Sequence, residues 1–382
     1  MTPDARPAAP TTVLIDASTL SSVGAKSGIG TYVRNLLASL ASPPAGCDFR
    51  LSVNALVTPG VALGDGVGRR TIHRFVHQHA RVEVIEHATT VPFDVLRWRR
   101  HGEVFHSPGF HAPPAIRGPW VQTLHDLIPI VLDDPDLLAL RRRWQRFGPR
   151  YRKADAVVAV SRHAADEGIR LLHLDPQRVH VAHHGVDPQF RPAPPGSRPD
   201  DDPPFLLVVS EFSQRKGFDH AFAVISALAD AGYPHRLKVA GQVHDFARQK
   251  LDGLRAAAGR PERIDLLGFV DDLPRLYQRA SVVLVTSRYE GFGLPALEAM
   301  ASVVPVIAYD NTAMTEVVTS GGILIPDGDV TAMTAAARRL LDDPEEAEEW
   351  RARGLVQAAK FTWADSAARH AEAYRAAAER PR

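Results

Sequence analysis

The chain has 382 residues, 45% hydrophobic and 23% charged, a soluble globular balance with room for two domains of ordinary size. The 45 Lys and Arg offset the 44 Asp and Glu to a formal net charge of +1, which excludes a global field that would draw the protein onto nucleic acid. The single cysteine, Cys47, excludes an internal disulfide and a Cys-based zinc site.

Residues 1–10 are rich in Pro and Ala and lack the apolar run of a signal peptide, and no stretch approaches the roughly 20 apolar residues of a membrane helix. The expectation is a cytoplasmic chain, at most peripheral at the inner face of a membrane. Short β-branched runs then alternate with helical patterns. Strands are predicted over 13–17, 51–57, 82–86, 104–106, 121–125, 156–160 and 179–183, with helices over 29–40, 137–153 and 162–172 among them. The rhythm resumes with strands over 205–209, 237–240, 264–267, 282–286, 305–308 and 323–325. Near-continuous apolar strands separated by helices read as parallel sheets covered on both faces. Between the halves, residues 191–204 (RPAPPGSRPDDDPP) are rich in Pro and charge and read as a linker. The predicted domains are therefore 1–190 and 205–362, followed by a helix over 363–382 whose small Ala-rich face suggests docking on another surface. In open parallel sheets ligands sit beyond the carboxyl ends of strands, so the loops after strands are where chemistry is sought.

Four such loops carry candidate residues. Lys26-Ser-Gly28-Ile-Gly30-Thr31 precedes a helix; its glycines suit either a close approach to an anion or a plain tight turn, and the third glycine of a dinucleotide fingerprint is missing. His125-Asp126 follows the strand ending near Leu124, where His125 suits a sugar hydroxyl and Asp126 suits a helix cap. Gln214-Arg215-Lys216-Gly217 places adjacent cations at a strand end, suited to a diphosphate or to a solvated surface. Glu290-Gly-Phe292-Gly293-Leu294-Pro295-Ala-Leu-Glu298 puts one carboxylate on a loop and one on a helix, with amides between them for a pyrophosphate; acidic stabilisation of a helix start is the competing reading.

These pieces, in this order, resemble the retaining GT-B glycosyltransferases of the group-one family, also called family four. The likeness covers nearly the whole chain and includes Ala159-Val-Ser161-Arg162, His184-Gly-Val-Asp187, Leu267-Gly-Phe-Val-Asp-Asp272 and Asp310 to Glu316 with Gly321-Gly322. It implies two Rossmann-like domains facing across a cleft, the N-terminal one binding acceptor and the C-terminal one binding a nucleotide-sugar, with the final helix crossing back to the N-terminal domain. It further implies that Gly28 and Gly30 approach the donor phosphate or the acceptor and that His125 lies beside the transferring sugar. Arg215 and Lys216 would hold the pyrophosphate, helped by amides of Phe292, Gly293 and Leu294. Val270 and Asp272 would meet the base, Glu290 the donor sugar and Glu298 the ribose. Where many members carry Gly-Arg after the first C-terminal strand, this chain has Ser210-Glu211.

The implied reaction is retaining transfer of a hexose by front-face attack, the leaving phosphate helping to deprotonate the acceptor hydroxyl. No cofactor and no metal is expected, since cations and helix amides take the metal's part. Mannose from GDP-mannose leads among donors because Asp272 suits guanine, followed by UDP-glucose or UDP-N-acetylglucosamine. The acceptor is expected to be a saccharide, a glycolipid or a small molecule. A nucleotide-sugar epimerase, a sugar phosphorylase and a catalytically silent sugar-nucleotide scaffold are the competing functions. The basic, Trp-bearing segments Arg97–Arg100 and Arg141–Arg146 suit either anionic lipid or a solvated helix face with Trp144 in the core, and His73, His77, His79, His180, His183 and His184 read as structural.

Overall fold

The computed structural model describes residues 11–16, 19, 27–40, 47–54, 83–87, 104–110, 118–134, 137–194, 203–243 and 245–381. The chain forms two compact units: residues 1–185 with 362–382, and residues 186–361.

In the first unit, β1 (Thr11–Asp16), β2 (Cys47–Asn54), β3 (Glu83–His87), β4 (Val104–Ser107), β5 (Trp120–Leu124), β6 (Ala156–Ala159) and β7 (Val179–Val181) make one parallel sheet in the order β3-β2-β1-β4-β5-β6-β7. Its helices include α1 (Gly28–Leu40), α2 (Ile128–Val131), α3 (Leu138–Tyr151) and α4 (Arg162–Leu172). Strands β4, β5 and β6 are buried at every residue, which explains their unbroken apolar character. On α1 the buried residues Tyr32, Val33, Leu36, Leu37 and Leu40 recur at helical spacing. They share one core with Ala367, Ala371, Tyr374 and Ala377 of the C-terminal helix, Trp363–Glu379.

The second unit repeats the plan. Strands β8 (Phe205–Val209), β9 (Arg236–Ala240), β10 (Ile264–Gly268), β11 (Val282–Val285), β12 (Val306–Tyr309) and β13 (Ile323–Ile325) lie parallel in the order β10-β9-β8-β11-β12-β13. The helices are α5 (Phe218–Asp230), α6 (Asp245–Ala256), α7 (Leu273–Arg279), α8 (Leu294–Ala301), α9 (Met314–Val317), α10 (Val330–Asp342) and α11 (Pro344–Ala358). Both sheets are doubly wound, with the direction of winding reversing between β1 and β4 in one and between β8 and β11 in the other. Ligands of such sheets bind beyond the strand ends at that reversal.

The boundary falls earlier than the linker predicted at 191–204. Val186 N–H donates to Phe361 O at 3.0 Å, and Gln278 Nε2 donates to Arg191 O at 2.8 Å, so residues 186–194 are part of the second unit. The return falls between Phe361 and Thr362. Gly185 lies so close to the backbone of Thr362 and Trp363 that a Cβ there would collide with it, which accounts for glycine after His184.

A buried hydrogen-bond chain ties the C-terminal helix to the first sheet, and its proton directions follow from one carbonyl. Ser366 O can only accept, so His370 Nδ1 carries the proton at 2.7 Å and His370 Nε2 is an acceptor. Tyr32 therefore donates to His370 Nε2 (2.7 Å), and Thr123 donates to Tyr32 Oη (3.0 Å). His106 Nε2 in turn donates to Thr123 Oγ1 (2.8 Å), and Tyr374 donates to His106 Nδ1 (2.9 Å). Every member is neutral. Burial lowers His106 well below the ordinary 6.5 and His370 to about 4, and burial raises the phenols of Tyr32 and Tyr374.

The sign of the resulting pH dependence is fixed. Unfolded histidines take protons near pH 6.5, whereas His370 resists until about 4, so the unfolded state binds more protons between those values. Stability of the first unit should fall as pH drops from 6.5 to 4, by up to ~3 kcal/mol for each such histidine. Denaturant unfolding of the chain at pH 7, 6, 5 and 4 checks this; a flat profile would refute the neutral network.

Candidate functional site

The second unit concentrates its charge at the reversal between β8 and β11. Lys216 lies in the turn after β8 and is buried, with its Nζ 2.5 Å from Glu290 Oε1. Gly217 adopts φ 60°, and a Cβ there would strike Thr286 O, so glycine lets this turn press against the end of β11. Thr286 Oγ1 donates to Lys216 O at 2.8 Å and fixes the turn from the other side. Arg215 Nη1 lies 4.0 Å from Glu290 Oε2 and donates to Tyr289 O at 3.2 Å. Burial works to raise the Glu290 carboxyl, but the charges of Lys216 and Arg215, with hydrogen bonds from Lys216 and Ser287, hold it below its ordinary value. Glu290 is an anion clasped by cations. Its backbone N–H donates to Thr312 Oγ1 at 3.0 Å, and Thr312 itself has φ 44°, a strained conformation for a β-branched residue.

Helix α8 starts beside this pair. Gly293 has φ 98°, and the Met314 side chain occupies the space a Cβ would need. Pro295 has no N–H, and the amides of Ala296 and Leu297 donate to Gly293 O, so the amides of Gly293 and Leu294 are the ones an anion would meet. Glu298, partly buried one turn on, accepts from Tyr277 Oη at 3.0 Å, and burial pushes its carboxyl up to about 8.

In the first unit, His125 follows β5 and is buried. Its Nε2 donates to Pro108 O at 2.7 Å, so Nδ1 is the ring's acceptor, and burial lowers the imidazole to about 4. The Tyr32 ring meets its edge at 5.1 Å and 84°. Helix α1 is preceded by Ser27, whose Oγ accepts from Gly30 N–H at 3.2 Å.

Against this geometry, the family models "Glycosyltransferase Family 4" and "Glycosyl transferases group 1" match residues 26–190 and 190–356. The chain belongs to the group 1 glycosyltransferases. Among curated relatives it is 31% identical to the alpha-D-kanosaminyltransferase of Streptomyces kanamyceticus over 51% of this chain and 53% of that protein. It is 31% identical to a lipopolysaccharide core biosynthesis mannosyltransferase of Rhizobium meliloti over 62% of this chain and 70% of the relative. The chain thus spans about half the length of the first of these relatives. Among solved structures, sucrose-phosphate synthase from Thermosynechococcus elongatus superposes with a TM-score of 0.72 at 20% identity, over 96% of this chain and 98% of the other. The shared architecture is the GT-B fold.

In this member of the family the structure brings together Arg215, Lys216 and Glu290, with Phe292, Gly293 and Leu294 following directly in the loop and helix start. Local structure engages two of the expected positions. Gly28 and Gly30 sit in the first turn of α1 rather than in a preceding loop, and the Gly30 amide is taken by Ser27. Asp272 is exposed and caps α7, its Oδ1 accepting from Arg275 N–H at 3.2 Å, so one oxygen intended for a base is already engaged. The Trp144 ring of the Arg141–Arg146 segment lies in the core against Tyr151 and Phe110, as the solvated-face reading of that segment has it. Val270 is partly buried just ahead of α7. Arg97–Arg100, His73, His77, His79 and the linker stretch 195–202 lie outside the described residues. Among the described residues no group of three or more His, Cys, Asp or Glu could hold a metal ion, and no helix is long and apolar enough to cross a membrane.

Sequence reasoning missed Tyr277, Thr286, Thr312 and Tyr32. Of these only Thr312 carried a local signal, its place in the short polar run Asp310-Asn311-Thr312 after β12.

Removing one partner of a buried ion pair strands the other. Lys216→Ala should destabilise the second unit by ~3 kcal/mol, and adding Glu290→Gln should restore part of that loss. Chemical denaturation of the two variants measures the coupling; additive losses would show that the pair is not a unit.

Proposed function

We propose that the protein is a retaining hexosyltransferase whose second unit binds a nucleotide-sugar donor and whose first unit binds the acceptor. The observation that carries this is the convergence of Lys216, Arg215 and the Gly293–Leu294 amides at the strand-order reversal around Glu290. Charge builds on a departing diphosphate, and fixed cations and amides stabilise it without reorganising. In this reading the bond between the sugar's anomeric carbon and the β-phosphate oxygen breaks, and the acceptor oxygen bonds from the same face. The acceptor's proton passes to the departing phosphate. Glu290 accepts from donor-sugar hydroxyls, and neutral His125 accepts a sugar hydroxyl through Nδ1. No metal takes part, because Lys216 and Arg215 supply the positive charge.

Mannose from GDP-mannose is the favoured donor, supported by the likeness to a mannosyltransferase. A UDP-glucose or UDP-N-acetylglucosamine donor is the second reading, favoured by the capping role of Asp272, which weakens its use as a guanine acceptor. The acceptor class is a saccharide, a glycolipid or a small molecule. Exposed Leu138 and Leu140 beside exposed Arg142 and Arg146 on α3 support a lipid-linked acceptor reached at a membrane surface.

Calorimetric titration of GDP, UDP and ADP with and without EDTA, followed by turnover of the matching nucleotide-hexoses, tests the proposal. One nucleotide should bind best, unaffected by EDTA, and Lys216→Ala should lower turnover by ~100-fold or more. Proton NMR of the first-formed product should show the donor's anomeric configuration; inversion would overturn the retaining assignment, and no binding would overturn the donor site.

Ribose hydroxyls donate best to an ionised Glu298. Since that carboxyl sits at about 8 in the empty site, nucleotide affinity should rise with pH up to about 8, by at most ~10-fold per unit, and level off above it. The same titration repeated from pH 6.5 to 9 checks the sign.

A further inference from the structure

The Glu298 carboxyl is held by a residue that no spacing motif contains. Tyr277 is fully buried near the end of α7, and its hydroxyl donates to Glu298 Oε2 at 3.0 Å across 21 residues of sequence. Burial and the adjoining carboxyl raise the phenol well above its ordinary range, so it remains a donor at any working pH. Its ring is fixed by the edge of Phe190, with centroids 5.6 Å apart at 82°. The start of the same helix is the capped segment Val270–Asp272. A single rigid helix therefore carries the base segment at one end and the partner of the ribose carboxyl at the other.

We propose that Tyr277 is a positioning residue for ribose: it clamps one oxygen of Glu298 so that the other is presented to the nucleotide's 2′- and 3′-hydroxyls, making the site selective for ribonucleotides over deoxyribonucleotides. This rests on Glu298 being the ribose carboxylate, as proposed above. A carboxyl held by one fixed donor loses less rotational freedom when the diol arrives, so the benefit appears only for ligands that have the diol. The groups acting on Glu298 are few. Tyr277 faces it from α7 and favours its ionised form, while Asp187, in the segment after β7, opposes ionisation. Helix α11 presents Gly354 and Gln357 around Met300 on the other side of α8, β11 is a buried aliphatic strand, and β12 is buried and aliphatic up to Tyr309, whose hydroxyl is hydrogen-bonded to His220 Nδ1.

The test is calorimetric titration of the full chain with GDP, UDP and their 2′-deoxy counterparts between pH 6.5 and 9, using the wild type, Tyr277→Phe and Glu298→Gln. The phenylalanine variant deletes one oxygen and keeps the ring against Phe190. It should lose about 5- to 10-fold in affinity for the preferred ribonucleotide and stay within about twofold for its deoxy form, the scale of one charge-assisted hydrogen bond acting through its partner. Its affinity should also rise at a higher pH than the wild type's, because the donor that favours the ionised carboxyl is gone. An equal loss on both nucleotides, no loss, or an unmoved pH profile overturns the positioning role. Glu298→Gln separates the two ideas. If it retains the full ribose preference, the assignment of Glu298 itself fails. If it abolishes the preference while Tyr277→Phe keeps it, only the role of Tyr277 fails. Should thermal unfolding show that Tyr277→Phe does not fold, Phe190→Leu loosens the ring without touching the hydroxyl. It should give the same ribose-selective loss, and an unselective change would sink the proposal.

Discussion

A charge taken out of water must be paired, and in the second unit that constraint organises everything near the strand-order reversal. Lys216 is buried and can be so only against Glu290. The contact requires the turn after β8 to press onto the end of β11, which requires glycine at 217 and a hydroxyl at Thr286 to hold the carbonyl of Lys216. It also requires the Glu290 backbone to be held by Thr312, which accepts an unfavourable φ to do so. The strained and glycine-dependent backbone positions are thus consequences of one ion pair, and that pair keeps a cation in place beside a helix N-terminus.

The two units use one strand order for opposite electrostatic ends. In the second, fixed charges face one another in a small space. In the first, the corresponding region is filled by histidines and tyrosines whose burial keeps all of them neutral. His125 belongs to both descriptions. Its ring is braced by Tyr32, which is itself a link in the chain of hydrogen bonds to the C-terminal helix. Removing water thus has one physical effect with two outcomes: an anion tightly held by cations, and a neutral imidazole that donates through Nε2 and keeps Nδ1 as its acceptor.

All thirteen predicted strands are present because buried parallel strands are short, aliphatic and bounded by turn residues, a signal that survives in one dimension. The charged motif residues were equally visible, because Arg215, Lys216 and Glu290 each follow a strand directly. What the sequence hid were pairings across sheets and helices. Tyr277 reads as one more apolar position on a short helix until Glu298 is seen above it, and Thr286 reads as a strand end. Two positions also carry a local signal. Ser27 and Asp272 are ordinary helix caps, and the capping signal was legible in Ser27-Gly-Ile-Gly30 and in Asp272-Leu-Pro-Arg275. The resemblance gives Gly28, Gly30 and Asp272 to the ligand at the same places. The domain boundary was misplaced because proline and charge mark where a chain is solvated, whereas the crossing is set by Gly185 against Trp363.

The placement of the C-terminal helix bears on how the protein is made. Residues 1–185 leave the ribosome before residues 186–361, yet Tyr32, Thr123 and His106 have no His370 or Tyr374 to complete their chain until that later unit has also been translated. The second unit, contiguous from 186 to 361, has its own hydrophobic core and all its strands well before that moment. Synthesis therefore runs N to C while completion runs the other way: the unit translated first is the one finished last, and during translation its half-built core is the surface most in need of protection from aggregation.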